Sequence, residues 1–191
     1  MRALLFALLA CLLSCAGTPA IVRAEEAKTA SQKPGATTIV FFTDFQCPFC
    51  RRTHRMLAPL VEAEHDRVRT VLVHVPLDRH PDARTAARAA ICVETLTKAL
   101  LDDYAHALYT SDDLSEATCE ALAIERGVDR EKYQECLASP AVERRLDHDL
   151  ATYREVGGSG VPLMYIGHER IDGMPPLGAL QSAFREAVPR R

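Results

Sequence analysis

The hydrophobic positions of the chain follow strand spacing in some segments and helical spacing in others. Apolar and β-branched runs predict four strands, at residues 37–42, 67–75, 163–166 and 170–172. An apolar stripe at helical spacing follows the first strand, helical patterns fill residues 82–156, and a last helix covers residues 177–188. This order predicts an α/β fold with a block of helices inserted between the second and third strands.

The first 36 residues predict export rather than folded structure. Residues 3–13 form an apolar run after a single positive charge, which is typical of a secretory signal and too short to span a bilayer. The small-residue pattern Val22-Arg23-Ala24 suits ordinary signal cleavage, whereas Leu-Leu-Ser-Cys ending at Cys15 resembles a lipobox and would make Cys15 a lipidated N-terminus. We therefore expect residues 1–24 to hold the signal and the start of a tether, and residues 25–36 to be a flexible tether.

The composition narrows the classes of function. The 191 residues are 48% hydrophobic and 26% charged, which excludes a largely disordered chain. The formal net charge of −3 comes without a basic block, so nucleic acid is not an expected partner. Cysteines at this frequency in an exported chain indicate an oxidising compartment. Two cysteines lie in the export segment, at Cys11 and Cys15, and the other five are Cys47, Cys50, Cys92, Cys119 and Cys136.

The tetrapeptide Cys47-Pro48-Phe49-Cys50 carries the strongest chemical signal. It stands where the first strand ends and a helix begins, with Pro48 suited to the first helical turn and Cys47 to the N-cap. Unpaired amides and the helix dipole favour a thiolate there, so we expect a lowered pKa for Cys47. Cys47 would be the exposed nucleophile and Cys50 the more buried resolving thiol, within disulfide reach. The alternatives are a static disulfide and a zinc half-site, although the sequence has no second CxxC or HxxxH to complete a zinc site.

A second motif lies far along the chain. A Gly-Gly-Ser-Gly run at residues 157–160 leads into Val161-Pro162 and then into the third strand. Together with the CPFC tetrapeptide, this arrangement resembles the cis-proline loop that faces the active disulfide in thioredoxin folds. A cis peptide would leave the backbone of Val161 free to pair with an extended substrate chain. We therefore expect the substrate groove at Val161 and Pro162.

Three segments in the right order resemble the DsbA-like branch of the thioredoxin superfamily. They are residues 41–52 (FFTDFQCPFCRR), 75–83 (VPLDRHPDA) and 160–167 (GVPLMYIG). The resemblance covers residues 37–187 and implies a thioredoxin-like domain of residues 37–81 and 157–191, interrupted by a helical subdomain at residues 82–156. It also implies a thiol:disulfide oxidoreductase with a redox-active disulfide between Cys47 and Cys50.

Two features depart from the best-known oxidases of this family. Those oxidases carry histidine where Phe49 stands, and Phe49 offers no charge to the thiolate. We therefore expect a weaker oxidant, for which Arg51 and Arg52 compensate only in part. The first strand also lacks a carboxylate to lie beneath the disulfide. Asp44 could accept a proton from Cys50, but its position after the strand favours a turn residue.

The helical block contains three cysteines whose pairing the sequence leaves open. Cys119 and Cys136 flank a predicted turn between antiparallel helices, so they form either a structural disulfide or two small core residues. Cys92 lies on an apolar helix face and is expected to be buried and inert. The histidines show no ligand spacing and are expected to be ordinary side chains, with His54 solvated. No metal or other cofactor is therefore predicted.

These features predict an exported, monomeric enzyme that oxidises cysteine pairs in secreted proteins through a mixed disulfide at Cys47. Its partners would be exported proteins with cysteine thiols and, from the family, a membrane quinone-linked thiol oxidase that restores the disulfide. Two alternatives stay open: a reductase or isomerase that uses the same pair, and a non-catalytic thioredoxin-like module that binds peptide or metal. The expected location is periplasmic or otherwise extracytoplasmic, with a lipid anchor if Cys15 is lipidated.

Overall fold

The computed structural model describes residues 18–188, and the side chains of all of these except residues 28–32. The elements follow in the order α1 (Ala20–Gln32), β1 (Thr37–Thr43), α2 (Pro48–Ala63), β2 (Val68–His74), α3 (Ala83–Leu96), a 3₁₀ turn (Lys98–Leu100), α4 (Leu101–Thr110), α5 (Glu116–Glu125), α6 (Arg130–Ala138), α7 (Pro140–Glu155), β3 (Leu163–Ile166), β4 (Glu169–Asp172) and α8 (Leu177–Ala187). The apolar signal run and Cys15 lie outside the described residues. Between residues 18 and 188, no helix is long and apolar enough to cross a membrane.

A four-stranded mixed sheet in the order β2–β1–β3–β4 forms the centre of the molecule. β1 pairs in parallel with β2, while β3 runs antiparallel to both β1 and β4. Every residue of β1 is buried, which explains why its sequence is a continuous apolar and β-branched run. Phe42 lies opposite Leu163, so the residues that follow β1 come close to those that precede β3. This register brings the two sequence motifs together.

Five helices, α3 to α7, separate β2 from β3, so the predicted α/β fold with an inserted helical block is confirmed. α3 is the central helix of this block and packs against α4, α5, α6 and α7. Its buried face consists largely of alanines, which allow four helices to approach closely. α4 also packs against α2, the helix that begins at the CPFC tetrapeptide, and the rings of Tyr109 and His106 in α4 contact the ring of His54 in α2.

The N-terminal helix α1 shows that residues 25–32 are helical, whereas the sequence predicts a flexible tether over residues 25–36. Val22 is fully buried, and the Glu25 carboxylate pairs with Arg69 of β2 at 3.0 Å. The segment has no apolar stripe, so the hydrophobic pattern alone does not indicate a helix. Its alanine, glutamate and lysine residues nevertheless favour helix, and contacts with the sheet hold it in place.

Candidate active site

The CPFC tetrapeptide lies between the end of β1 and the first turn of α2. Cys47 is the N-cap, with extended backbone angles (φ −68°, ψ 122°), and Pro48 is the first helical residue. Both cysteines are free thiols and both are fully buried, which corrects the expectation of an exposed Cys47. The carbonyl oxygen of Val161 lies 3.8 Å from Cys47 Sγ, at the facing wall of the site. The exposed residues of the tetrapeptide are instead Pro48 and Phe49, and 54% of Phe49 is accessible to solvent.

The two thiols differ strongly in acidity. A hydrogen bond from the Cys50 thiol is the largest cause that lowers the pKa of Cys47, from 9.0 to about 6. Burial opposes this shift, the backbone N–H groups of Cys50 and Phe49 lower the pKa further, and the charge of Asp44 raises it. Burial raises the pKa of Cys50, and the hydrogen bond to Cys47 and the charge on Cys47 add to that shift. Near neutral pH the pair therefore holds a thiolate on Cys47 and a proton on Cys50.

The wall facing Cys47 is the loop before β3. The Val161–Pro162 peptide bond is cis, in agreement with the expectation from sequence. Val161 is nearly buried, and the carbonyl oxygen of Pro162 accepts a hydrogen bond from Gly173 N at 2.8 Å. The structure thus brings the two sequence-predicted residue pairs, Cys47 with Cys50 and Val161 with Pro162, into one site.

Asp44 has no exposed surface on its side chain and accepts four hydrogen bonds. Oδ1 accepts from the backbone N–H groups of Gln46 at 2.8 Å and Cys47 at 3.2 Å. Oδ2 accepts from Leu77 N at 3.0 Å and from Nδ1 of His80 at 2.7 Å. Asp44 is therefore a turn residue, as expected, but it also ties the active-site loop to the loop that follows β2. The sequence analysis does not predict the contact between His80 and Asp44. The one sequence feature that points to His80 is its position in the 75–83 segment.

A second contact joins the same two loops. Gln46 Oε1 accepts a hydrogen bond from the backbone N–H of Asp82 at 2.8 Å, and Gln46 Nε2 donates to the Asp82 carboxylate at 3.2 Å. Because Asp82 precedes α3 directly, this reciprocal pair anchors the residue before Cys47 to the start of the helical block. Asp44 and Gln46 thus both tie the short loop before Cys47 to the loop between β2 and α3.

Beneath Cys50 lies a pair of buried hydroxyl groups. Thr43 Oγ1 and Tyr109 Oη are 2.6 Å apart, and the Thr43 hydroxyl also hydrogen-bonds Cys50. Tyr109 belongs to α4, and its ring centroid lies 4.7 Å from that of Phe45. Burial raises the pKa of Tyr109, so its hydroxyl stays protonated and can donate. Nothing in the local sequence connects Tyr109 with Cys50.

His54 is not the solvated side chain that the sequence predicts. Its ring stacks on Tyr109 with centroids 4.3 Å apart, and Nε2 lies 3.2 Å from Nδ1 of His106. Burial, and then the neighbouring His106, lower the pKa of His54 to about 4. Within residues 18–188, no group of three His, Cys, Asp or Glu side chains is arranged to hold a metal ion.

The two arginines after Cys50 have different surroundings. Arg51 Nε donates to the carbonyl oxygen of Phe45 at 2.7 Å, so this side chain supports the loop before the tetrapeptide. Arg52 is exposed to solvent. Neither arrangement directs a guanidinium hydrogen bond to the Cys47 sulfur, where thiol and backbone donors act instead.

Of the two alternatives for Cys119 and Cys136, the structure excludes a disulfide between them, and Cys92, expected to be buried and inert, is buried but takes part in a disulfide. A disulfide joins Cys92 of α3 to Cys136 of α6, with Cα atoms 5.8 Å apart, whereas Cys119 is a buried free thiol. Cys119 Sγ lies 3.4 Å from the Leu114 carbonyl oxygen, and its burial raises its pKa to about 12. The sequence does not indicate this pairing because α3 packs against both α5 and α6, so the disulfide partner of Cys136 is remote in sequence.

Comparisons with known proteins agree with this geometry. Residues 32–185 match the sequence model of the family described as Thioredoxin. A thioredoxin-like oxidoreductase from Silicibacter pomeroyi DSS-3 has a TM-score of 0.69 and 27% identity, covering 81% of this chain and 88% of that one. The thiol-disulfide exchange protein alpha-DsbA2 from Wolbachia pipientis has a TM-score of 0.70 at 18% identity, covering 87% and 95% respectively. The Na(+)/H(+) antiporter NhaA 3 of Salinispora tropica is 28% identical over 151 residues, which are 78% of this chain but only 23% of the antiporter.

Proposed function

The chain belongs to the thioredoxin family and has the DsbA-like arrangement of helices inside the fold, and from this premise we propose that it exchanges thiols and disulfides through Cys47 and Cys50. The observation that carries the proposal is the asymmetry of the pair. A hydrogen-bonded sulfur with a pKa of about 6 lies at a helix N-terminus, beside a buried thiol whose pKa is raised. A thiolate attacks and leaves readily, so this asymmetry supports Cys47 as the nucleophile and leaving group of the exchange.

We propose that the direction in the cell is oxidation of substrate thiols. A substrate thiolate attacks Cys47 Sγ of the Cys47–Cys50 disulfide, the S–S bond breaks, and Cys50 leaves with the electron pair and takes up a proton. A second substrate thiolate then attacks the substrate sulfur of the mixed disulfide, and Cys47 leaves as a thiolate. Two substrate thiols become one disulfide, and the enzyme becomes a dithiol. The hydrogen bonds that stabilise the Cys47 thiolate favour the reduced enzyme and so drive this direction.

The substrate would bind beside the cis peptide as an extended chain. The backbone of Val161 borders Cys47 Sγ, so a paired substrate strand would carry its cysteine to the reactive sulfur. The exposed ring of Phe49 offers an apolar contact next to the same sulfur. Backbone pairing and one apolar contact suit many unrelated cysteine-containing chains.

The site of action would be extracytoplasmic. The Cys92–Cys136 disulfide of the helical block requires an oxidising compartment for its formation, in keeping with the export signal expected at residues 1–24. Substrates would be exported proteins with cysteine thiols, and a membrane quinone-linked thiol oxidase would restore the Cys47–Cys50 disulfide. The activity of the matched antiporters is not carried over, because this chain spans less than a quarter of their length.

A trapping experiment tests the proposal. Cys50→Ala leaves Cys47 without its resolving partner, so the variant should accumulate mixed disulfides with substrates, whereas the matched Cys47→Ala variant should trap none. The reduction potential, measured against glutathione, tests the direction. A value near that of thioredoxin, about −270 mV, would instead indicate a reductase. Absence of exchange by the wild-type protein on a reduced, unfolded substrate would favour a non-catalytic binding module.

A further inference from the structure

The carboxylate of Asp44 is a buried charge next to the reactive sulfur. Three of the four groups that contact its two oxygens are backbone N–H donors, and the fourth is Nδ1 of His80, whose role depends on where the ring carries its hydrogen. Three backbone N–H groups directed at one carboxyl favour its ionised form, and because an ionised carboxylate only accepts, His80 Nδ1 then carries the hydrogen of this contact. A buried ionised carboxylate is costly unless a positive charge compensates it.

His80 is the compensating group that the geometry offers. Its Nδ1 lies 2.7 Å from Asp44 Oδ2, and 15% of its side chain is exposed. The other charged side chains of its loop are Asp78 and Arg79, both exposed, and Asp82, whose carboxylate accepts from Gln46. Backbone hydrogen bonds to Leu77 and from Ala83 hold the His80 main chain in place.

The charge of Asp44 acts directly on the active site. The carboxylate accepts a hydrogen bond from Cys47 N, and its negative charge raises the pKa of Cys47 against the hydrogen bonds that lower it. An imidazolium at His80 would attract the Cys47 thiolate from the far side of the same carboxylate. Loss of that positive charge would leave two negative groups close together in a water-poor site.

We propose that His80 is a positioning residue which acts through Asp44, and that its imidazolium charge offsets the Asp44 carboxylate beside the Cys47 thiolate. The proposal rests on the proposed exchange function and deepens it. The charge balance at the nucleophile depends on the Asp44–His80 pair, which joins the loop after β1 to the loop after β2. Phe49 supplies no positive charge to the thiolate, and His80 supplies one from the opposite side. The sequence separates His80 from Cys47 by a strand and a helix, whereas the fold makes them neighbours through one carboxylate.

A thiolate titration of the reduced full-length protein tests this proposal without relying on exchange activity. Ultraviolet absorbance or the rate of alkylation gives the pKa of Cys47 in the wild type, in H80Q and in H80K. Because a unit charge near a buried pair shifts a pKa by about one unit at an effective dielectric of about 20, H80Q should raise the pKa of Cys47 by about that amount. H80K, which restores a positive charge, should return the pKa to near the wild-type value. The matched control is H65Q, since His65 is an exposed histidine that lies 3.5 Å from Asp66.

An unchanged Cys47 pKa in H80Q overturns the proposal, and so does an equal rise in H80Q and H80K, which would indicate loop distortion rather than charge. A measurement on the wild type covers the case in which the variants do not fold. Nitrogen chemical shifts of the His80 ring should show an imidazolium at a pH where Cys47 is a thiolate; a neutral ring there contradicts the proposal. Failure of the exchange function would appear separately: the wild-type protein would be inactive in exchange, while the Cys47 pKa would still rise in H80Q and return in H80K.

Discussion

His74 should make the protein sensitive to acid, because it is a histidine buried without hydrogen bonds to its ring. It is the last residue of β2, its side chain is fully buried, and neither ring nitrogen has a hydrogen-bond partner within the described residues. Burial is the largest cause that lowers its pKa, from 6.5 to about 3; the charge of Arg145 lowers it further, and Glu94 opposes. Its ring lies 5.7 Å from that of Phe45.

The direction of the effect follows from where the proton binds. The unfolded chain takes up a proton on this histidine below its ordinary pKa of 6.5, but the folded protein does so only below about 3. Protons therefore favour unfolding, and the stability that the neutral ring permits is lost as the pH falls from 6.5 to 3. At about 1.36 kcal/mol per pKa unit, the contribution to the free energy of unfolding is about 3 kcal/mol lower at pH 4 than at pH 7.

Urea unfolding of the wild type and of H74F between pH 7 and pH 4 measures this contribution. The substitution keeps an aromatic ring beside Phe45 and keeps the backbone N–H that donates to Asp149 at 2.9 Å, but it removes the titrating group. The wild type should lose about 3 kcal/mol more than H74F over this range. H168Q, which removes an exposed histidine, should behave like the wild type. If H74F loses stability in acid as steeply as the wild type, the reasoning from burial is refuted.

Three further predictions concern the cysteines and the hydroxyl pair. Cys50→Ala should raise the pKa of Cys47 from about 6 by a unit or more, because it removes the thiol hydrogen bond; the pH dependence of alkylation measures this, and an unchanged midpoint contradicts it. Removing the Cys92–Cys136 disulfide, which closes a loop with a sequence separation of 44, should lower the free energy of unfolding by about 4 kcal/mol in urea; equal stability with and without it would be inconsistent with this pairing. Tyr109→Phe should slow the attack of Cys50 on a mixed disulfide about fivefold in rapid-quench measurements, because it removes the hydrogen bond between Tyr109 and Thr43, worth about 1 kcal/mol, and Thr43 in turn hydrogen-bonds Cys50; an unaltered rate would mean that Tyr109 does not assist Cys50.

Features that depend on neighbours along the chain could be predicted from the sequence. The position of Cys47 at the helix N-cap follows from a β-branched strand, a proline at the first helical position and an apolar stripe beyond it. The strand ends were predicted to within one residue because turn residues and glycines bound them. Even the cis peptide before Pro162 could be expected, since the tetrapeptide supplied its context.

Features that depend on packing between remote segments could not be predicted. Tyr109 lies 66 residues from Thr43, and its hydroxyl reaches the active site only because α4 packs against α2. The disulfide partner of Cys136 was missed for the same reason, since adjacent helices suggested Cys119 while α3 contacts every helix of the block. The burial of Cys47 also depends on a remote part of the sequence, because Val161, which lies against its sulfur, is 114 residues further along the chain.

The lowered pKa of Cys47 bears on how strong an oxidant this pair can be when Phe49 stands where the related oxidases have histidine. A thiolate whose pKa is about 6 instead of 9.0 stabilises the reduced form at pH 7 by about 1.4 kcal/mol, or about 30 mV for a two-electron couple. By the same relation the potential rises by about 10 mV at pH 6 and by about 80 mV at pH 9. The rise grows over this range because Cys47 is increasingly ionised above pH 6, whereas an ordinary thiol stays largely protonated until near pH 9. A peptide that contains the unfolded Cys-Pro-Phe-Cys sequence is the matched reference. The potential of the protein should rise above that of the peptide by an amount that increases over this range, and a difference that does not change with pH would mean that thiolate stabilisation is not what makes the disulfide oxidising.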